Sequence, residues 1–184
     1  MFACLEGHDT PCVYVAVRGD TEPAGFYWDM NDLATARGFR PVAAVAAVAE
    51  HTLMPTVSHA RPDADDAKLL NEFGLKALEQ AEAAKTLAKI PGERGAVPDF
   101  AFYPITDADT CISCGQCAEN CPAGAISEDD LVTQDDALCI CCSACAHVCP
   151  VEARTMGDAK ARELLHKAPT EMFAGLHLEI KLFL

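Results

Sequence analysis

The stretch Cys111-Ile-Ser-Cys114-Gly-Gln-Cys117-Ala-Glu-Asn-Cys121-Pro122 recurs 28 residues later as Cys139-Ile-Cys-Cys142-Ser-Ala-Cys145-Ala-His-Val-Cys149-Pro150. Each copy places three cysteines at steps of three and a fourth four residues on, directly before proline. The duplication predicts a pseudo-twofold unit with a metal site in each half. Nine of the chain's eleven cysteines fall between positions 111 and 149. Pairs this close are poorly placed to staple a fold with disulfides, so metal ligation is the better reading.

A [4Fe–4S] cube takes one thiolate per iron. Three come from a short loop with a cysteine at every third residue, and the fourth must approach from the far side. The segment resembles the bacterial two-cluster ferredoxins, in which the cysteine before proline serves the cluster of the other half. That resemblance implies that Cys111, Cys114, Cys117 and Cys149 hold one cluster, and that Cys139, Cys142, Cys145 and Cys121 hold the second. Binding the metal would also fold the segment, whose own core is minimal. Gly115 and Ser143 are small enough for the backbone to wrap the site and aim N–H groups at sulfur. Pro122 and Pro150 fix the turn after each fourth cysteine.

Paired Cys-x-x-Cys also builds tetrahedral zinc sites. Zinc knuckles use two cysteines each, not three plus one with a following proline, so spacing disfavours zinc. Cys141 is additional and adjoins Cys142. It is read as a small side chain near the cluster rather than a ligand, because ligation would break the three-residue step. Cys12 opens an apolar run and reads as core. His147 is read as a solvent-facing filler between ligands.

Outward from the repeat, residues 12–17 (Cys-Val-Tyr-Val-Ala-Val) read as a buried parallel strand. A short helix is expected from Asp29 to Arg37, closed by Gly38. Val42 to Ala49 is helix or strand by periodicity, and the preceding Gly-Phe-Arg-Pro favours strand. Residues 50–62 read as a loop. A longer helix is expected from Ala64 to Lys89, with Asp63 as N-cap and Asp66 three residues on. Its Leu70, Phe73, Ala77, Ala81 and Ala84 line one face. Residues 1–90 thus read as a partial α/β unit of about two parallel strands with crossover helices. Residues 91–106, rich in Pro and Gly, read as a linker, and 107–157 as the cluster-binding domain. Residues 158–184 read as a helix up to Lys167 and a tail. The alternating Leu176 to Leu184 is a strand or a frayed end.

The upstream part resembles the flavodoxin–ferredoxin fusion proteins of anaerobes, the EFR1-type ferredoxins. The carrying stretches are Pro11 to Asp20, Gly38 to Val42, Val48 to Thr52, Ala60 to Asp63 and Glu72 to Gly74. The implied fold class is α/β plus α+β: a partial flavodoxin-like open parallel sheet followed by a small two-cluster ferredoxin domain. A flavodoxin's phosphate-cradling Ser/Thr- and Gly-containing loop has no counterpart here. The chain reads as starting at the domain's fourth strand, so FMN is not expected to be held by this chain alone. Tyr27 and Trp28 are the side chains that a flavin ring would stack on. Glu50, His51 and Arg61 match the family pattern and are read as loop packing and capping.

The formal net charge is −14. Residues 101–155 carry one basic and nine acidic side chains. That balance argues against nucleic acid and fits a redox partner with a basic docking face. The longest apolar run, Val42 to Ala49, is too short for a membrane span, and Met1 to Thr10 lacks the basic start of a secretory signal. A cytoplasmic location is expected. The leading expectation is a low-potential electron carrier passing single electrons, not an enzyme. The alternative is a subunit or fragment of a flavin/iron–sulfur oxidoreductase that needs a missing flavodoxin half. The sheet edge left by that half invites a partner chain or self-association, which the alternating tail would cover.

Overall fold

A computed structural model describes residues 4–19, 25–54, 56–95, 102–158, 160, 163 and 178–184. In chain order the elements are β1 (Thr10–Arg18), α1 (Phe26–Thr35), β2 (Phe39–Val48), α2 (Ala64–Glu82), β3 (Pro104–Thr106), α3 (Gln116–Glu119), α4 (Ala144–His147), β4 (Arg154–Met156) and β5 (Lys181–Phe183). The chain divides into two compact units. One comprises Met1–His51, Pro55–Pro98 and Gly175–Leu184; the other comprises Thr52–Met54 and Asp99–Ala174. The expected helix after Gly157 and the start of the expected tail strand fall largely outside the described residues.

The first unit is a three-stranded sheet in the order β1-β2-β5. β1 and β2 run parallel, and β5 adds antiparallel to β2, with Val45 opposite Leu182. Every residue of β2 from Pro41 to Val48 is buried, as a central strand with both faces covered requires. On one face Ala44 joins Tyr14, Ala16, Tyr27, Ala34 and Leu87. On the other, Val42, Ala43, Val45 and Ala47 meet Phe73 and Ala77 of α2.

The local signals explain the helix ends. Asp63 accepts from the Asp65 and Asp66 N–H groups while Asp66 returns a bond to the Asp63 N–H, closing a capping box at the start of α2. After α1, Gly38 adopts φ +80°, and a Cβ there would stand 2.2 Å from the Gly7 carbonyl oxygen. Only glycine allows this approach.

Three expectations are corrected. α2 stops at Glu82 rather than reaching Lys89. Ala84 turns left-handed at φ +51°, and the Leu87 N–H bonds the Pro41 carbonyl at 2.8 Å. Tertiary contact thus overrides a run of good helix formers, and Ala84 drops off the packed face. β1 is not buried on both sides. Tyr14 and Ala16 are buried, but Val13, Val15 and Val17 are 38%, 53% and 68% exposed. β1 is the sheet's edge strand, and α2 packs on β2. Finally, Tyr27 is not a flavin platform. It is 2% exposed in the core and meets Phe26 and Phe183 edge-on. Trp28 is engaged as well: its indole N–H donates to the Gly92 carbonyl, and the Arg94 guanidinium lies 4.8 Å from its ring.

In the second unit, β3 and β4 pair antiparallel, Thr106 opposite Arg154. β3 falls at the end of the stretch expected to be linker. This ribbon joins the two ends of the cysteine repeat.

Candidate metal centre

The duplication in sequence is a duplication in backbone. The Cys111 N–H bonds the Asp107 carbonyl at 3.0 Å, and 28 residues on the Cys139 N–H bonds that of Asp135 at 3.0 Å. The same offset relates Ala118 to Gly115 and Ala146 to Ser143, both at 3.0 Å. It also relates Gly124 to Cys121 and Glu152 to Cys149, both at 3.2 Å. Gly115 (φ +77°) and Ser143 (φ +61°) each turn left-handed and open a one-turn helix, α3 or α4, that carries Cys117 or Cys145.

These two turns form two cavities. One is lined by Cys111, Cys114, Cys117 and Cys149. The other is lined by Cys121, Cys139, Cys142 and Cys145, with Cys141 beside them. Each cavity therefore meets three cysteines from one copy of the repeat and the pre-proline cysteine from the other. All eight thiols are free of disulfides.

Hydrogen bonding and burial act against each other at the sulfurs. At Cys149 burial pushes the thiol up, but N–H groups of Arg154, Val151, Ala153 and Glu152 outweigh it and bring it below its ordinary value. Four converging donors favour a thiolate. Burial raises Cys145, against the charge and hydrogen bond of Arg154. Burial also raises Cys139, whose side chain hydrogen-bonds that of Cys141. The Ala125 N–H donates to the Cys121 sulfur at 3.3 Å.

The donor set fits an iron–sulfur cube better than one ion. The metal donors lining each cavity are thiols, a soft set of four or more per cavity. Thiolates on one zinc stand about 3.8 Å apart, given its Zn–S bond length, whereas those on the corners of a cube are spread around it. His147 is exposed between the ligand positions, as expected. Cys12 packs at the rim of the core in the first unit. Glu50 accepts from the Ala60 N–H at 2.9 Å and meets His59 at 3.0 Å, and Arg61 pairs with Asp66; these are packing and capping contacts.

One residue escaped sequence reasoning. Arg154 is the single basic side chain among residues 101–155. It is 2% exposed and lines the cavity of Cys111, Cys114, Cys117 and Cys149. One cation among nine carboxylates was the available signal.

No helix among the described residues is long and apolar enough to cross a membrane. Residues 104–127 match the family described as the 4Fe-4S binding domain. A 36-residue stretch, 20% of the chain, is 57% identical to a protein named ferredoxin from Butyribacterium methylotrophicum. The chain spans 62% of the length of that relative. With cysteines gathered on two cavities, these matches identify an iron–sulfur ferredoxin domain with residues for at least one [4Fe–4S] cluster.

Proposed function

We propose that the chain is a low-potential electron carrier with two [4Fe–4S] clusters. Cys111, Cys114, Cys117 and Cys149 would hold one, and Cys121, Cys139, Cys142 and Cys145 the other. The observation that supports this is the crossed lining of the two cavities, each meeting three in-step cysteines of one repeat and the pre-proline cysteine of the other, with Cys141 additional in one. A cluster so held exchanges one electron at a time. The chain's own part is to fix the thiolates, supply N–H donors to sulfur and surround the site with carboxylates. Negative surroundings disfavour an added electron and keep the potential low. They also favour a basic face on the redox partner. Anaerobic purification followed by iron and sulfide analysis and reductive titration tests the reading. Eight irons and the EPR signal of a reduced cube are expected; four irons, or no signal, overturn it.

A second reading rests on the edge of β1. Among the described residues β1 pairs on one side only, and this with the exposed Val13, Val15 and Val17 suits a sheet completed by further elements, as in the flavodoxin–ferredoxin fusions. In that case the chain is part of a flavin/iron–sulfur oxidoreductase. Co-purification with an FMN-bearing flavodoxin-like segment would support this reading, and native protein that purifies with no such segment and no flavin would remove it.

A further inference from the structure

A buried guanidinium must find compensation, because moving a charge out of water costs several kcal/mol even after relaxation. The hydrogen-bond partners of Arg154 supply no countercharge, and the one carboxylate that feels its charge, Asp130, is exposed to solvent. Its Nη1 donates to the Leu131 carbonyl at 2.9 Å and the Val132 carbonyl at 3.5 Å, and Nη2 to the Gln134 side-chain oxygen at 2.6 Å. All three are neutral dipoles. Its Nε is buried with no hydrogen-bond partner.

The placement supplies what the partners do not. Arg154 lines the cavity of Cys111, Cys114, Cys117 and Cys149, and its backbone N–H points at the Cys149 sulfur. Its positive charge also acts on Cys145, which lines the other cavity. A cube with four thiolates carries net negative charge in both oxidation states and gains one more on reduction. A cation held between two such sites is compensated by them, and more strongly once they are reduced.

We infer that Arg154 is a positioning and tuning residue that raises the reduction potentials of both cluster sites against the pull of the nine surrounding carboxylates. Being buried, its charge is not screened by salt as the surface carboxylates are. The inference rests on the two-cluster reading.

EPR-monitored redox titration of the iron-loaded chain and of R154M, R154Q and R154K tests it. Both midpoint potentials should fall in R154M and R154Q. The expected size is about tenfold in the oxidised-to-reduced ratio at a fixed potential, 59 mV for a one-electron couple. The fall should persist in high salt. R154K, which keeps the charge, should stay much nearer the parent. A purely structural role would reduce iron loading without moving the potentials of the clusters that remain. Eight irons with unchanged potentials in R154M or R154Q overturn the inference and leave the two-cluster reading intact. So does an R154K whose potentials fall as far as those of R154M and R154Q, since the guanidinium's bonds to the 131–134 loop and not its charge would then set them. A parent chain with four irons fails the two-cluster reading itself and, with it, a placement between clusters.

Discussion

The Cys121 sulfur accepts a hydrogen bond from the Ala125 N–H at 3.3 Å and faces the cavity of Cys139, 18 residues downstream, rather than that of Cys117, four residues upstream. The chain turns at Pro122 and carries its fourth cysteine away from its own triplet. If ligation is crossed, removing Cys121 and removing Cys139 injure the same cluster. C121A and C139A should therefore leave one remaining EPR signal in common. C149A and C111A should leave the other. A C121A spectrum that matches C111A instead would mean that each half ligates its own cluster.

Cys141 shares the cavity of Cys139 but sits out of step with the triplet. It adopts φ +53°, as its counterpart Ser113 does at +52°. Ser113 offers no thiolate, so this position is not needed for a cluster in the first half. C141A should therefore load as much iron as the parent, whereas C142A should lose about half. Equal iron loss in the two variants would make Cys141 a ligand.

The cysteines that line the two cavities were legible because ligand spacing is local and chemically demanding: a thiol every third residue has few other uses. The Asp63–Asp66 cap was legible for the same reason. Arg154 was not, because its meaning lies in where β4 places it and not in its neighbours along the chain. β3 and β4 are three residues each, too short to show a period. The exposed valines of β1 looked like a buried strand because composition does not reveal which face a helix covers. The end of α2 was hidden too, since the Leu87–Pro41 bond that draws the chain back is a long-range contact.

Acid should weaken the ferredoxin unit. The Thr110 hydroxyl bonds Asp107 at 2.7 Å and holds its carboxyl below the ordinary value. Thr133 does the same for Asp130, helped by the N–H groups of Thr133 and Val132. A carboxyl whose pKa is lower in the folded state stabilises the fold above the ordinary pKa. The contribution disappears as protonation becomes complete below the folded value. Stability should thus decline as pH drops through about 4. D130N should show a shallower decline in urea midpoints measured between pH 6 and 3. A parallel decline in D130N and the parent would remove Asp130 as a cause.

Asp66 and Arg61 form a buried ion pair in the first unit, with side chains 6% and 14% exposed. Removing Asp66 leaves Arg61 only the more exposed Asp63, at 3.6 Å, as a countercharge. D66A should cost about 3 kcal/mol from that loss, and roughly 1 kcal/mol more because Asp66 also closes the capping box of α2. Trp28 is the sole tryptophan and belongs to this unit, so its fluorescence during urea unfolding reports the change. A loss under about 1 kcal/mol would show that solvent reaches Arg61 readily once Asp66 is gone.

The tail closes the sheet on one side only. β5 covers the outer edge of β2, placing Phe183 opposite Ala44 and its ring 5.9 Å from that of Tyr27. Residues 178–184 also offer carbonyls at Glu179 to Arg18, at 2.8 Å, and at Leu178 to Arg61, at 3.3 Å. Deleting 178–184 therefore uncovers backbone donors and acceptors, an aromatic core residue and two arginines together. An unpaired strand edge beside apolar surface templates association, so the truncated chain should scatter more light at equal concentration and unfold earlier. L182P, which keeps the length but disturbs β5 at its centre, should move the same way by a smaller amount. Among the described residues β1 pairs on one side only, in both variants and in the parent. Unchanged scattering in both variants would therefore assign any self-association to β1 and its three exposed valines, and V15K should then lower it.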